Sequence, residues 1–251
     1  MGEHKFQIEV FSNYDTLING AVEQFIDLAN AAIQERGTFF VALSGGSTPT
    51  PLYQALANPH NQARIPWDWV HLFWGDERYV PLGHPDSNFQ MVKKALLDHI
   101  PIPEKNVHPV PTEMEIWRAA EHYERGMRRI FDGEWPNFDL VLLGMGEDGH
   151  TASLFPHSAG IYEEKRWFIA NFAPEKQTWR LTLTKNAINA ARKILILVHG
   201  EAKATTLADV LVGPSVPYRK PIQLIKPIMG QVIWMIDKAS AHHLPPNITT
   251  E

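Results

Sequence analysis

The sequence contains no cysteine, which removes disulfides, thiolate-bound metals and a cysteine nucleophile from the possible chemistry and fits a reducing compartment. Long apolar runs are missing as well. No stretch approaches the roughly eighteen consecutive apolar residues of a membrane helix, and the opening MGEHKFQIEV shows no basic segment followed by a long apolar one. A cytoplasmic location is expected, with no membrane partner. Nor is positive charge in excess: 23 Lys+Arg against 28 Asp+Glu leave a formal charge of -5, which offers no general attraction for nucleic acid. Any anion bound here must be held by a local cluster of basic groups and backbone amides, and the expected partner is a small molecule.

What is present suffices for a full core. With 251 residues, 44% of them hydrophobic, the chain suits one large α/β domain or two small ones. Phe6, Ile8 and Val10 alternate with polar residues as a strand does, and Leu17, Ala21, Phe25, Leu28, Ala29, Ala32 and Ile33 then recur at helical spacing until Gly37. Short apolar runs at Phe39 to Leu43, Val70 to Trp74, Asp139 to Leu143, Ile194 to Val198 and Gln231 to Ile236 predict strands covered on both faces. Helical patterns lie between them at Asn88 to His99, Glu115 to Phe131 and Glu201 to Leu211. That alternation predicts a mostly parallel sheet with helices on both sides. The proline-rich segments 100–111 and 213–227 read as long surface connections rather than linkers, because strand signals resume after each. A single domain over 1–251 follows, with residues 241–251 as a frayed tail.

In open α/β sheets ligands bind beyond the carboxyl ends of the strands, so the post-strand segments carry the functional reading. Ser44-Gly45-Gly46-Ser47-Thr48-Pro49-Thr50-Pro51 follows the second strand without one carboxylate. Its glycines allow a tight turn and a close approach, and Thr48 or Thr50 is a candidate cap for a short helix around Leu52 to Leu56. The segment predicts a nest of free N–H groups suited to a phosphate. Gly144, Gly146 and Gly149 spell G-x-G-x-x-G after another strand, yet a dinucleotide is not expected there: Glu147 and Asp148 stand where a pyrophosphate needs bare amides, and Pro156 stops any regular helix. What remains is Asp148-Gly149-His150, an aspartate and a histidine on a glycine-rich turn, placed for proton transfer. After Trp74, Arg78 is a candidate phosphate clamp, while Asp76 and Glu77 could hold sugar hydroxyls or orient a histidine. After Val198, Lys203 is expected on the first turn of a helix facing the same crevice. No H-E-x-x-H occurs, and Ser44, Ser47 and Ser153 show no G-x-S-x-G, so neither a metal hydrolase nor a serine hydrolase is indicated.

SGGSTP at 44–49, DERYVPLGHPDSN at 76–88, GMGEDGHTASLFP at 144–156, RLTLT at 180–184 and INAARKILILVHGEAKA at 188–204 resemble, in order, the signature blocks of the 6-phosphogluconolactonase family. The resemblance implies a Rossmann-like three-layer α/β/α sandwich and cofactor-free, metal-free hydrolysis of 6-phospho-D-glucono-1,5-lactone to 6-phosphogluconate, a step of the oxidative pentose phosphate pathway. It implies His150 as the general base, with Asp148, Asp76 or both orienting it or the substrate. It implies Arg78 and Lys203 as holders of the 6-phosphate, together with amides of Gly45, Gly46 and Ser47, and Arg180 facing the site. One departure is His157, where the family commonly has glycine after phenylalanine-proline, which bears on loop shape. The related glucosamine-6-phosphate deaminases carry an acid-base carboxylate where this chain reads Thr151 to Pro156. Sugar-phosphate-sensing regulators place a helix-turn-helix before such a domain, and a first strand at Phe6 is expected to leave no room for one.

Overall fold

In the computed structural model, which describes residues 6–227, 229–246 and 248, alternation of short apolar runs with helical segments produces a layered α/β architecture. The strands are β1 (Phe6–Phe11), β2 (Phe39–Leu43), β3 (Val70–Trp74), β4 (Asp76–Arg78), β5 (Val107–His108), β6 (Leu140–Gly144), β7 (Phe168–Ala173), β8 (Thr178–Leu183), β9 (Lys193–Val198) and β10 (Gln231–Asp237). The helices are α1 (Tyr14–Arg36), α2 (Thr50–Leu56), α3 (Pro59–Gln62), α4 (Asn88–Ala95), α5 (Ile116–Arg128), α6 (Lys185–Asn189) and α7 (Ala204–Leu211). Seven strands form one sheet in the order β1-β10-β9-β6-β2-β3-β5, every pairing parallel. Helices pack against it as the outer layers, consistent with the expected three-layer sandwich.

The central strands are buried on both faces, which is why they read as unbroken apolar runs. Leu140 to Leu143 and Ile194 to Val198 are all at most 2% exposed. Helix α1 buries Leu17, Ile18, Ala21, Val22, Phe25, Ile26, Ala29 and Ala32 along one stripe. A reciprocal Asn13/Thr16 capping box starts it, and Gly37 at φ 80° ends it by donating to the Ile33 carbonyl.

Three expectations need correction. The carboxyl ends of the helices at 88–99 and 115–131 are shorter than their patterns: α4 stops at Ala95 before a 3-10 turn at Leu97–His99, and α5 stops at Arg128. The connection 100–111 is not wholly irregular, since it contributes β5 at one edge of the sheet. A second, antiparallel sheet, β4-β8-β7, is absent from the expected strands. Gly75 is the corner between the sheets: its amide donates to Leu43 C=O at 2.8 Å, and its carbonyl accepts from Leu183 N at 2.8 Å. At the carboxyl end, Ala241 and Leu244 pack on the core; residues 247 and 249–251 of the expected tail lie outside the described residues.

Candidate active site

Beyond the carboxyl ends of β2, β6 and β9, and walled on one side by β4 and β8, lies a cleft of about 230 Å³. The turn after β6 builds its floor. Gly149 N donates to Gly146 C=O at 3.0 Å and Gly146 N to His150 C=O at 2.9 Å, so the chain doubles back and carries the His150 ring into the cleft. There Nδ1 meets Asp148 Oδ1 at 2.5 Å, and the same oxygen accepts from the His150 amide at 3.1 Å. Burial pushes the Asp148 carboxyl up, but its bonds from the His150 ring and amide and the charge of that ring outweigh this and pull it down to about 2. An ionised Asp148 places the ring proton on Nδ1 and leaves the Nε2 lone pair as a proton acceptor.

This turn explains the glycine pattern. A Cβ on Gly146 would stand 2.1 Å from His150 Nδ1 and 2.5 Å from Asp148 Oδ1; the missing side chain is the space the pair occupies. Gly149 has φ +84°, and a Cβ there would lie 2.6 Å from Lys220 Cδ. After Gly149 the chain forms turns and a Thr151–Leu154 bridge rather than a helix, and the glycines leave room for the Asp148–His150 pair.

Cations line the walls. Arg78 and Arg180 stand directly opposite each other across the β4–β8 pair. Burial and the neighbouring Arg78 charge lower the Arg180 guanidinium from its ordinary value. Among the described residues neither side chain pairs with a carboxylate, and both donate to neutral oxygens: Arg78 Nη1 to Asp86 C=O at 2.7 Å and Arg180 Nη1 to Thr178 Oγ1 at 3.1 Å. Two like charges held together cost free energy, and an anion between them would recover it. Lys203 faces the cleft from the far side, with the exposed Glu147 at 3.7 Å.

The 44–49 loop closes the remaining side. Gly46 takes φ +101°, which favours glycine. A Cβ on Gly45 would collide with the Asn88 carboxamide at 1.9 Å. Neither threonine caps α2 as expected. Pro49 is the N-cap residue and makes no side-chain cap bond, while Thr50 Oγ1 turns back to donate to Gly46 C=O at 2.8 Å.

Gly45, Gly46, Ser47, Asp76, Arg78, His150, Arg180 and Lys203 thus share one cleft, with Asp148 directly behind His150. Asp76 makes no bond to His150 among the described residues. It accepts from Ser153 Oγ at 2.6 Å, so the carboxylate on the imidazole is that of Asp148. Glu77, expected to face a ligand, points inward: it is fully buried and accepts from the amides of Arg78, Asn88 and Phe89. Burial raises its carboxyl, against those bonds. Lys176 is a lining residue that the sequence reading missed. It sits in the β7–β8 hairpin turn with Nζ 5.5 Å from the Phe155 ring centroid, and that ring packs 4.5 Å from His150. His157 lies at φ 59°, in the left-handed region that favours glycine, with its amide donating to Tyr218 C=O at 3.0 Å.

Fold and site together define a class: an α/β protein with a cationic ligand cleft at the carboxyl edge of its parallel sheet. A family model described as glucosamine-6-phosphate isomerases/6-phosphogluconolactonase matches residues 12–234. The 6-phosphogluconolactonase of Synechocystis sp. is 41% identical over 244 residues, covering 96% of this chain and 99% of its own. Among solved structures, 6-phosphogluconolactonase from Trypanosoma brucei superposes with a TM-score of 0.87 at 28% identity, over 97% of this chain and 100% of that one. The enzyme of that name from Thermotoga maritima gives 0.81 at 32% identity, over 93% and 100%. The chain belongs to the glucosamine-6-phosphate isomerase/6-phosphogluconolactonase family.

Proposed function

We propose that this chain hydrolyses 6-phospho-D-glucono-1,5-lactone to 6-phospho-D-gluconate as a cytoplasmic enzyme that needs no cofactor. The observation that carries the reading is the Asp148-bonded imidazole of His150 in the same cleft as Arg78, Lys203 and the 44–47 turn. Nε2 of His150 takes a proton from water as the water oxygen adds to the lactone carbonyl carbon. The imidazolium, steadied by Asp148, then returns that proton to the ring oxygen as its bond to the carbonyl carbon breaks, opening the ring. General-base catalysis of this kind supplies about 10²- to 10⁴-fold. A strained cyclic ester asks for little more, which suits a site without a covalent nucleophile.

The phosphate does no chemistry, and its role is leverage. Held by Arg78, Lys203 and the amides of Gly45, Gly46 and Ser47, with Arg180 beside them, it fixes the carbonyl against the water and turns remote binding into orientation. The test generates the lactone with glucose-6-phosphate dehydrogenase and follows its disappearance with and without the protein. His150→Ala is expected to lower kcat by about 10²- to 10⁴-fold at nearly constant KM, and Arg78→Ala to raise KM as well as lower turnover. A histidine variant with full rate overturns the assignment, and ammonia release from glucosamine 6-phosphate would replace the reading with the deaminase of the same family.

A further inference from the structure

Amides of the 44–49 loop can face an anion only if the carbonyls of the same peptide planes face away. A trans peptide holds C=O of one residue and N–H of the next on opposite sides of a rigid plane, and the described residues contain no cis bond. Fixing a carbonyl therefore aims the following amide.

Three hydroxyls from outside the loop fix carbonyls here, and within it Ser44 Oγ donates to Gly45 C=O at 3.2 Å. Tyr53 OH donates to Ser44 C=O at 2.7 Å while accepting from Ser44 N at 3.0 Å. Thr50 Oγ1 donates to Gly46 C=O at 2.8 Å. Tyr14 OH donates to Thr48 C=O at 2.8 Å, a carbonyl that precedes Pro49 and so aims no N–H, and it reaches Ser47 C=O, the carbonyl before the Thr48 amide, at 3.4 Å. The amides opposite the Ser44, Gly46 and Ser47 carbonyls belong to Gly45, Ser47 and Thr48, and none of the three donates within the chain among the described residues. Burial raises both phenols above their ordinary value, so each keeps the proton it donates.

Tyr14 also joins the two segments that would grip the phosphate. Its ring stacks on His199 with centroids 3.8 Å apart and planes 16° apart. His199 precedes Gly200, whose amide is held by Asp237 at 3.0 Å at the start of the turn carrying Lys203. The loop of amides and the lysine opposite are thereby braced against one another.

We propose that Tyr14, Thr50 and Tyr53 are positioning residues for phosphate recognition, their hydroxyls turning the loop's carbonyls away so that the amides of Gly45, Ser47 and Thr48 face the substrate's phosphate. This deepens the lactonase reading and rests on it. The test uses Tyr14→Phe, which keeps the stack on His199, Thr50→Val, and Thr50→Ser as the conservative rescue. Losing one hydroxyl is expected to raise KM for the phosphorylated lactone about fivefold, to weaken inhibition by inorganic phosphate by the same factor, and to leave kcat within about twofold, with Thr50→Ser near the parent. Hydrolysis of unphosphorylated glucono-1,5-lactone is expected to be unaffected. Unchanged KM and phosphate inhibition in variants with parental melting curves would overturn the proposal, as would equal losses on both lactones. If the parent protein hydrolyses neither lactone, the functional reading fails. Calorimetric titration of the same variants with inorganic phosphate then still decides whether the hydroxyls set the loop.

Discussion

His157 shows what one backbone angle asks of a side chain. At φ 59° a non-glycine residue sits in a left-handed conformation that costs about 1–2 kcal/mol, partly offset by the smaller unfolded-state entropy of a residue with a side chain. Its ring also faces Tyr218, with centroids 5.9 Å apart. His157→Gly is therefore expected to change stability by less than about 1 kcal/mol. His157→Val, β-branched at the same angle, is expected to lose about 1–2 kcal/mol; denaturant melts of the two variants check the contrast. The sequence displayed this departure, and it displayed the Asp148-His150 pair, because both are local. It could not display Lys176 or Asn88 in the cleft, because the β7–β8 hairpin brings the one and the first turn of α4 the other. Glu77 misled for a related reason: a carboxylate beside Asp76 and Arg78 looks available to a ligand until the first turn of α4 is seen to need it.

At the scale of elements, the strands legible as unbroken apolar runs were those buried on both faces, while the edge strand β1 showed through its alternation. Strand β4 is three residues, Asp-Glu-Arg, with no apolar signal at all. Strand β5 is two residues within a proline-rich connection. Strand β8, TWRLTL, does alternate, over six residues only. The short edge β5 has its own energetics. His108 stacks on Phe73 with centroids 4.3 Å apart and meets His71 across the pair at 3.1 Å. Burial, then the charge of His71, lowers the His108 imidazole to about 4 from 6.5. The unfolded chain therefore takes up a proton between those values that the folded chain refuses, and stability falls as pH drops from about 6.5 to about 4, by about 3 kcal/mol at most. Above that window the group contributes no slope. His108→Phe, which can keep the stack on Phe73, is expected to flatten this acid-side decline, read as the difference between melting temperatures at pH 7.5 and pH 4.5.

Over the whole molecule two electrostatic effects oppose each other. A net charge of -5 repels a phosphorylated substrate, whereas Arg78, Arg180, Lys176 and Lys203 attract it within one cleft. Charges within a few ångströms of the ligand outweigh a surface average spread over distances beyond the Debye length of about 10 Å at 0.1 M salt. Added salt is therefore expected to raise KM severalfold between about 0.05 and 0.5 M while kcat holds, in steady-state assays. A KM that falls with salt would mean that the overall charge governs encounter. The alternation of strands and helices made the parallel sheet readable at this scale, because periodicity encodes which faces are covered. The antiparallel sheet that bears the arginines stayed hidden, since its strands are short and its register is set by contacts across about a hundred residues, Arg78 with Arg180.

Gly75 carries a last consequence. It is the corner at which the chain leaves β3 for β4, bonded on one side to Leu43 and on the other to Leu183, and a Cβ there would come within 3.3 Å of the Leu43 carbonyl. The span between the wall that bears the imidazole and the wall that bears the guanidiniums is thus inherited from the course of the main chain. Descendants of this fold can exchange rim side chains, and with them the sugars admitted, without retuning how far apart the two halves of the pocket stand.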